Sequence, residues 1–280
     1  MQFIRHFLLA VQFFTRIPIT GRLADWVGFN PAMLRASAAH FPAVGMLVGA
    51  VAAAVYALLA ALLPDTTFAP LVAAVLSTIV TALLTGGFHE DGLADVADGL
   101  DGSYDKTRAL EIMKDSRVGA FGAMALALAL LVKVALLALL GSVGGVDGVP
   151  EGWDEKPFAA WTVCSALFAG HVVSRTLALL LVAWLPHVGD TAASKSKPLA
   201  DQISRGSLFI AFLWCFIALA IVFTAQTATD LTVACSLSFI ALLVMYRLFK
   251  RRLQGFTGDC LGAAQQVCEI AFYLGLAIRL

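Results

Sequence analysis

The residues with the most chemical content stand together in Gly86-Gly87-Phe88-His89-Glu90-Asp91-Gly92-Leu93-Ala94-Asp95-Val96-Ala97-Asp98-Gly99-Leu100-Asp101-Gly102. On a helix, Asp91, Asp95 and Asp98 fall at i, i+4 and i+7, which stacks them on one face a turn apart. Like charges at that spacing repel unless a cation neutralises them. Hard carboxylate oxygens suit Mg²⁺ or Mn²⁺ rather than zinc or copper. The spacing therefore predicts a divalent-metal site with Asp91, Asp95 and Asp98 as ligands. A solvated acidic cap on an apolar segment is the plainer reading, and the regular placement of the acids weighs against it. Gly92, Ala94, Ala97 and Gly99 would let a second helix or a phosphate approach the backbone closely. His89 reads as a ligand, a phosphate contact or an interfacial residue.

Three other positions could serve the same chemistry. Lys114 and Arg117 lie one helical turn apart downstream of the acidic run, a pairing suited to a pyrophosphate. Anchoring at a membrane surface would explain both as well. Arg175, with His171 four residues before it, falls inside a long apolar stretch, where a charge is costly and usually functional. Pairing with a substrate phosphate or carboxylate is expected for it, with a purely structural interhelical pair as the alternative. Asp259, in Gly255-Phe256-Thr257-Gly258-Asp259-Cys260-Leu261-Gly262-Ala263, reads either as a helix N-cap or as a second source of carboxylate for the metal site. Gln265 and Glu269 follow it at helical spacing.

The elements that must position these residues are apolar helices. Sixty per cent of the 280 residues are hydrophobic, 14% are charged and the mean hydropathy is +0.87. Soluble domains are roughly half apolar and about a quarter charged, so this chain lies outside that class. A bilayer core needs roughly 20 apolar residues per helical span. Seven stretches qualify, near 43–63, 69–88, 119–140, 158–185, 207–226, 231–249 and 262–280. The fourth is long enough to be tilted or broken. The expected fold is an all-α, polytopic bundle forming one membrane domain over 1–280. Residues 1–40 supply an amphipathic helix on the membrane surface, and 89–117 form a cytoplasmic acidic segment.

Placing the N-terminus in the cytoplasm leaves only Lys156 and Arg279 on the far side and Lys133 and Arg175 within spans. The other 15 of the 19 basic residues then face the cytoplasm, as the positive-inside rule demands. A glycine-rich connector at 141–157 would face outward. The formal net charge of zero gives no sign of nucleic-acid binding. The five cysteines form no ligand pattern and read as buried apolar side chains.

The run from Thr85 to Asp95, continued by Asp98-Gly99, resembles the signature of the bacterial cobalamin synthase (adenosylcobinamide-GDP ribazoletransferase) family. Further matching pieces are Phe14-Thr15-Arg16-Ile17-Pro18, Phe41-Pro42-Ala43-Val44-Gly45, the stretch from Met113 to Gly122, and Thr257-Gly258-Asp259-Cys260-Leu261-Gly262-Ala263. Together they cover essentially the whole chain. The resemblance implies a Mg²⁺-dependent inner-membrane enzyme of vitamin B12 assembly. It would join adenosylcobinamide-GDP to α-ribazole 5′-phosphate, or α-ribazole, and release GMP. Asp91, Asp95, Arg117, Glu90 and Asp259 would then be catalytic, and Lys114, Arg175, His89 and Ser116 would bind substrate. Membrane lipid is a further expected partner, and a homo-oligomer or a corrinoid-assembly complex stays open. CDP-alcohol phosphotransferases are similar in logic, but this chain has Asp95 where their pattern has arginine and lacks their later aspartate pair. A cation-coupled transporter would place its polar groups near the midplane in paired broken helices, whereas the densest run of acids here lies in one segment at the membrane edge.

Overall fold

A computed structural model describes residues 1–143, 156–189, 202–223 and 226–279. Among these residues the regular structure is helical, apart from an isolated bridge between His187 and Phe256. The helices are α1 (Gln2–Phe14), α2 (Gly21–Val27), α3 (Pro31–Ser37), α4 (Phe41–Leu62), α5 (Ala69–Thr85), α6 (Phe88–Gly102), α7 (Lys106–Ile112), α8 (Ala120–Val143), α9 (Lys156–Trp184), α10 (Arg205–Val222), α11 (Ala228–Arg252) and α12 (Gly258–Ala277). The chain is a multi-pass membrane protein. Six apolar helices are long enough to cross a bilayer, and the bent pair α5–α6 makes the seventh candidate.

Helix α9 is the axis of the bundle. Of its most apolar window 89% is buried, against 17% for α8 and 22% for α10, whose leucines and phenylalanines face outward toward lipid. It is a single helix from Lys156 to Trp184, not the broken segment its length allowed. Helices α4, α8, α10, α11 and α12 pack around it. Small residues bring the backbones close: a Cβ at Gly45 would stand 2.5 Å from the His171 carbonyl oxygen, and one at Gly49 would stand 2.8 Å from Phe168 Cα. In lipid, where apolar surface gains little from leaving one hydrocarbon for another, such close packing is a main source of helix association.

Two boundaries differ from expectation. The first crossing starts earlier, because α3 and a 3₁₀ turn at Ala38–His40 run into α4 and make one apolar stretch, Pro31–Leu62, of 32 residues. Only part of residues 1–40 is therefore surface-lying. Helix α1 buries Leu9, Ala10, Val11 and Phe14 against a cluster that includes Leu34, Phe41 and Val44, so its apolar stripe meets protein as well as membrane. The last helix begins at Gly258, ahead of the expected 262, because Thr257 caps it by accepting from the Cys260 amide. The connector expected at 141–157 lies largely outside the described residues, with Asp147, Glu151, Asp154 and Glu155 among those not described.

Candidate active site

The acidic ladder sits on α6, and an elbow sets its direction. Gly86 and Gly87 both adopt left-handed backbone, with φ of 70° and 69°, a conformation that glycine reaches without steric penalty. The Gly87 amide donates to the Ala82 carbonyl and closes α5. Helix α6 then departs at 89° to α5. The crossing ends at the elbow, and α6 runs crosswise beyond it. At its far end Arg252 of α11 donates to the carbonyls of Leu100 and Ser103, placing a cation where the last carbonyls of a helix need one.

Helix α6 lies against α12 and α8. Its crossing with α12 is made by glycines: a Cβ at Gly92 would stand 2.7 Å from the Asp259 carbonyl oxygen, and one at Gly262 would stand 3.2 Å from His89 Cα. The close approach brings Asp259, in the first turn of α12, to the ladder. Asp91 is exposed and Asp95 half-buried. Burial, then the neighbouring charges of Asp91, Asp259 and Asp98, push the Asp95 carboxyl up to about 7. Three other carboxylates thus bear on Asp95. Asp259 is not the N-cap; Thr257 is, and its hydroxyl also donates to Asp259 Oδ2 at 3.2 Å.

Asp98 differs from its two ladder partners. It is buried, its Oδ2 accepts from the Gly119 amide at 2.6 Å, and its Oδ1 accepts from the Gly122 amide at 2.8 Å. It satisfies the orphan amides at the start of α8. Among the described residues no three His, Cys, Asp or Glu side chains form a ready-made metal cage. Mg²⁺ does not require one, because it usually keeps waters and takes one or two carboxylates together with substrate phosphates. The oxygen-only donors of Asp91 and Asp95 fit that mode, with Asp259 as a further carboxylate beside them.

The basic residues of the ladder's neighbourhood are on the α7–α8 connection. Arg117 is exposed and grips Asp115, with Nε at 2.9 Å from Oδ1. That contact holds the Asp115 carboxyl down at about 2. Ser116 and Lys114 are exposed on the same connection. Asp98, Arg108, Glu111, Asp115, Arg117 and Gly119 line an open groove of about 680 Å³ counted to its mouth. Of the ladder, Asp98 alone reaches this groove.

Against this geometry stand the likenesses to known proteins. Residues 6–277 match the family model described as cobalamin-5-phosphate synthase. The chain belongs to that family. Relatives named adenosylcobinamide-GDP ribazoletransferase include those of Polaromonas naphthalenivorans (strain CJ2), 70% identical over the whole of both chains, and Albidiferax ferrireducens, 61% identical over 100% of this chain and 99% of the relative. The relative from Shewanella pealeana is 40% identical over 97% of this chain and 94% of its own. No solved structure matches. As a member of the cobalamin-5-phosphate synthase family, the chain is a transferase of cobalamin synthesis.

The structure also gives the chain a buried polar cluster that sequence reasoning did not assemble. Glu269 of α12 pairs with Lys133 of α8 at 2.6 Å and with His171 Nδ1 of α9 at 3.0 Å, and accepts from the Tyr273 hydroxyl at 3.0 Å. Arg175 belongs to this cluster. It is 1% exposed, with one guanidinium nitrogen donating to the His171 carbonyl at 2.9 Å and lying 4.0 Å from Glu269. It is turned inward among protein groups, the interhelical arrangement that stood as the alternative to a substrate partner. Glu90 also points inward and accepts from Gln266 at 3.1 Å. His89 is buried, ring-stacked on Phe41 at 5.8 Å. A charged residue within each of three apolar helices was the available sign that Lys133, Arg175 and Glu269 meet.

Proposed function

We propose that this transferase joins adenosylcobinamide-GDP to α-ribazole 5′-phosphate, or to α-ribazole, and releases GMP, with Mg²⁺ as its cofactor. We place the reaction at the cytoplasmic face of the bacterial inner membrane, with the N-terminus inside; the distribution of basic residues supports that orientation. The observation that carries the reading is the meeting of the α6 ladder with Asp259 across the glycine crossing. It occurs in a chain that aligns end to end with relatives named for this reaction.

The acceptor's 3′-hydroxyl attacks the phosphorus that carries cobinamide. A new P–O bond forms there as the bond from that phosphorus to the GMP oxygen breaks, and GMP leaves with the electron pair. Such a transfer asks the protein for positioning and charge neutralisation more than for covalent chemistry. Asp91 and Asp95 would hold Mg²⁺, which when bound neutralises charge on the pyrophosphate oxygens. Asp259 takes the hydroxyl proton, steadied by the Thr257 hydroxyl. Arg117 and Lys114 bind the non-bridging oxygens and the departing GMP, and Ser116 donates a hydrogen bond from the same connection. Arg117 is released from Asp115 at little cost, since solvent screens an exposed ion pair and hydrates both partners once they part. Asp98, Glu90 and Arg175 are positioning residues: they fix α8, α6 and α9 around the site.

The test supplies both substrates to the purified protein in nanodiscs, with and without Mg²⁺. GMP and the joined corrinoid should appear together, and only with metal. A folded, monodisperse preparation that produced neither with every substrate present would refute the reading.

A further inference from the structure

The groove between α6, α7 and the start of α8 has a cavity volume of about 300 Å³ below its open mouth. That is the lower end of the range for small-molecule sites, about 300–1,000 Å³. It has room for a nucleobase and none for a corrin macrocycle. Its wall is unlike a merely solvated charged face. Phe121, at the start of α8, lines it with 44% of its surface exposed, and Ile112 of α7 lines it half-buried. Two ion pairs complete the wall. Arg108 Nη1 lies 2.9 Å from Glu111 Oε2, one turn along α7, and Arg117 Nη2 lies 2.5 Å from Asp115 Oδ2. Both pairs are open to solvent, so water screens them and either can part to meet a ligand.

An accessible aromatic ring offers its face to a base, and a carboxylate accepts two donors side by side. Guanine alone among the common bases presents two adjacent donors to one carboxylate, N1–H and the N2 amine, with O6 as an acceptor beside them. Adenine, cytosine and uracil each lack one of the two donors. The ring of a ribazole has no N–H at all, so the acceptor would leave Glu111 unmatched. Arg108, paired to Glu111, supplies the donor that O6 takes. The groove also lies where the donor's nucleotide would end. Asp98 lines it, and Asp98 follows Asp95 by three residues, about 4.5 Å along the axis of α6. Arg117 lines the same groove and offers its guanidinium to a phosphate.

We propose that this groove is the guanosine pocket of the donor. Glu111 accepts from the N1–H and the N2 amine, Arg108 donates to O6, and the Phe121 ring lies against the base. The assignment rests on the reaction proposed above and adds which side chains select a guanosine donor.

The probes are GMP and IMP, which differ only in the N2 amine, titrated by calorimetry into the full chain in nanodiscs with Mg²⁺ in the buffer. The wild type should bind GMP about ten-fold or more tightly than IMP, because a site built to pair a donor rejects the analogue lacking it. Glu111→Gln keeps the size of an exposed side chain. It should weaken GMP by about ten-fold and bring the two nucleotides within about two-fold of each other. Phe121→Ala should weaken both alike. A wild type indifferent to the amine, or an E111Q protein that keeps the wild-type ratio of GMP to IMP affinity, overturns the proposal. In turnover, E111Q should raise the donor's KM by about ten-fold and leave the acceptor's within about two-fold. An equal rise in both would mark a general disturbance and count against the pocket. Irradiation with 8-azido-GMP then locates the base: label within residues 108–121 is expected, and label confined elsewhere overturns the assignment. Should GMP be selected through Glu111 while no corrinoid forms, the reaction is wrong and the guanosine pocket stands. Normal turnover with an unaltered nucleotide preference in E111Q leaves the reaction standing and overturns the pocket.

Discussion

Gly92 of α6 packs directly on the backbone of Asp259 in α12, so closely that a Cβ at position 92 would stand 2.7 Å from the Asp259 carbonyl oxygen and 3.0 Å from its Cα. Backbone cannot yield as a flexible side chain can, so Gly92→Ala must move α12 away from the ladder. In an isolated helix that substitution would be favourable by about 1 kcal/mol. Here it should lower turnover by roughly ten-fold or more, because a displacement of about 1 Å at a reacting centre costs that much or worse. Circular dichroism should show unchanged helix content. Wild-type turnover in G92A would show that Asp259 need not sit so near the ladder.

Asp91 and Asp98 share one helix face but carry different loads. Both Asp98 oxygens are bonded to the amides that open α8, whereas Asp91 is exposed. Asp98→Ala should therefore lower the midpoint of thermal unfolding, reflecting a loss of about 1–2 kcal/mol for the missing cap. Asp91→Asn should leave the midpoint within error and abolish Mg²⁺-dependent turnover. Thermal scans and activity on the same detergent preparations separate the two. Equal thermal losses in both variants would contradict the division of roles.

The contrast shows what spacing can and cannot reveal. The i, i+4, i+7 pattern put three aspartates on one face, and they are there, yet it could not say that amides 21 and 24 residues further on would occupy the third. Hydropathy located the crossings because a span declares itself by length and apolarity. It missed the start of the first one, where the 3₁₀ turn at Ala38–His40 carries α3 into α4 without leaving the apolar run. The expected span ran through Gly86-Gly87 to residue 88; the 89° bend there comes with the packing of α6 on α12 and α8. Arg175 announced a need for partners inside the bundle. Its partners could not be named, because Glu269 arrives from a distant helix and pairs as well with Lys133.

That pairing yields a third prediction. Glu269 is fully buried and is the carboxylate that meets Lys133, His171 and Arg175. Glu269→Gln keeps the shape and strands two buried cations, so it should destabilise by about 3–5 kcal/mol, the usual cost of breaking a buried pair. Lys133→Met alone removes one cation and relieves part of the imbalance created by the first change. The double variant should accordingly be more stable than E269Q by itself, a coupling that a double-mutant cycle on thermal unfolding measures directly. Simple additivity of the two losses would mean that Lys133 and Glu269 do not interact energetically.

The last prediction concerns protons at the ladder. Burial and three neighbouring carboxylates push Asp95 up to about 7, above the ordinary carboxyl range of about 4. An acid whose pKa is raised on folding holds its proton where the unfolded chain has released it. The metal-free protein is therefore stabilised at low pH by this group and loses that contribution as pH rises from the ordinary range through about 7. A divalent cation reverses the balance, since it binds the ionised carboxylate. Apparent Mg²⁺ affinity should rise with pH up to about 7 and flatten above it, and binding below that point should release protons. Calorimetry in two buffers of different ionisation enthalpy reads the proton count, with Asp95→Asn as the control that removes the dependence. An affinity flat from pH 5.5 to 8, on the order of the range these shifts span, would take Asp95 out of the metal site. The same flat profile in D95N beside a sloping wild type would keep it there.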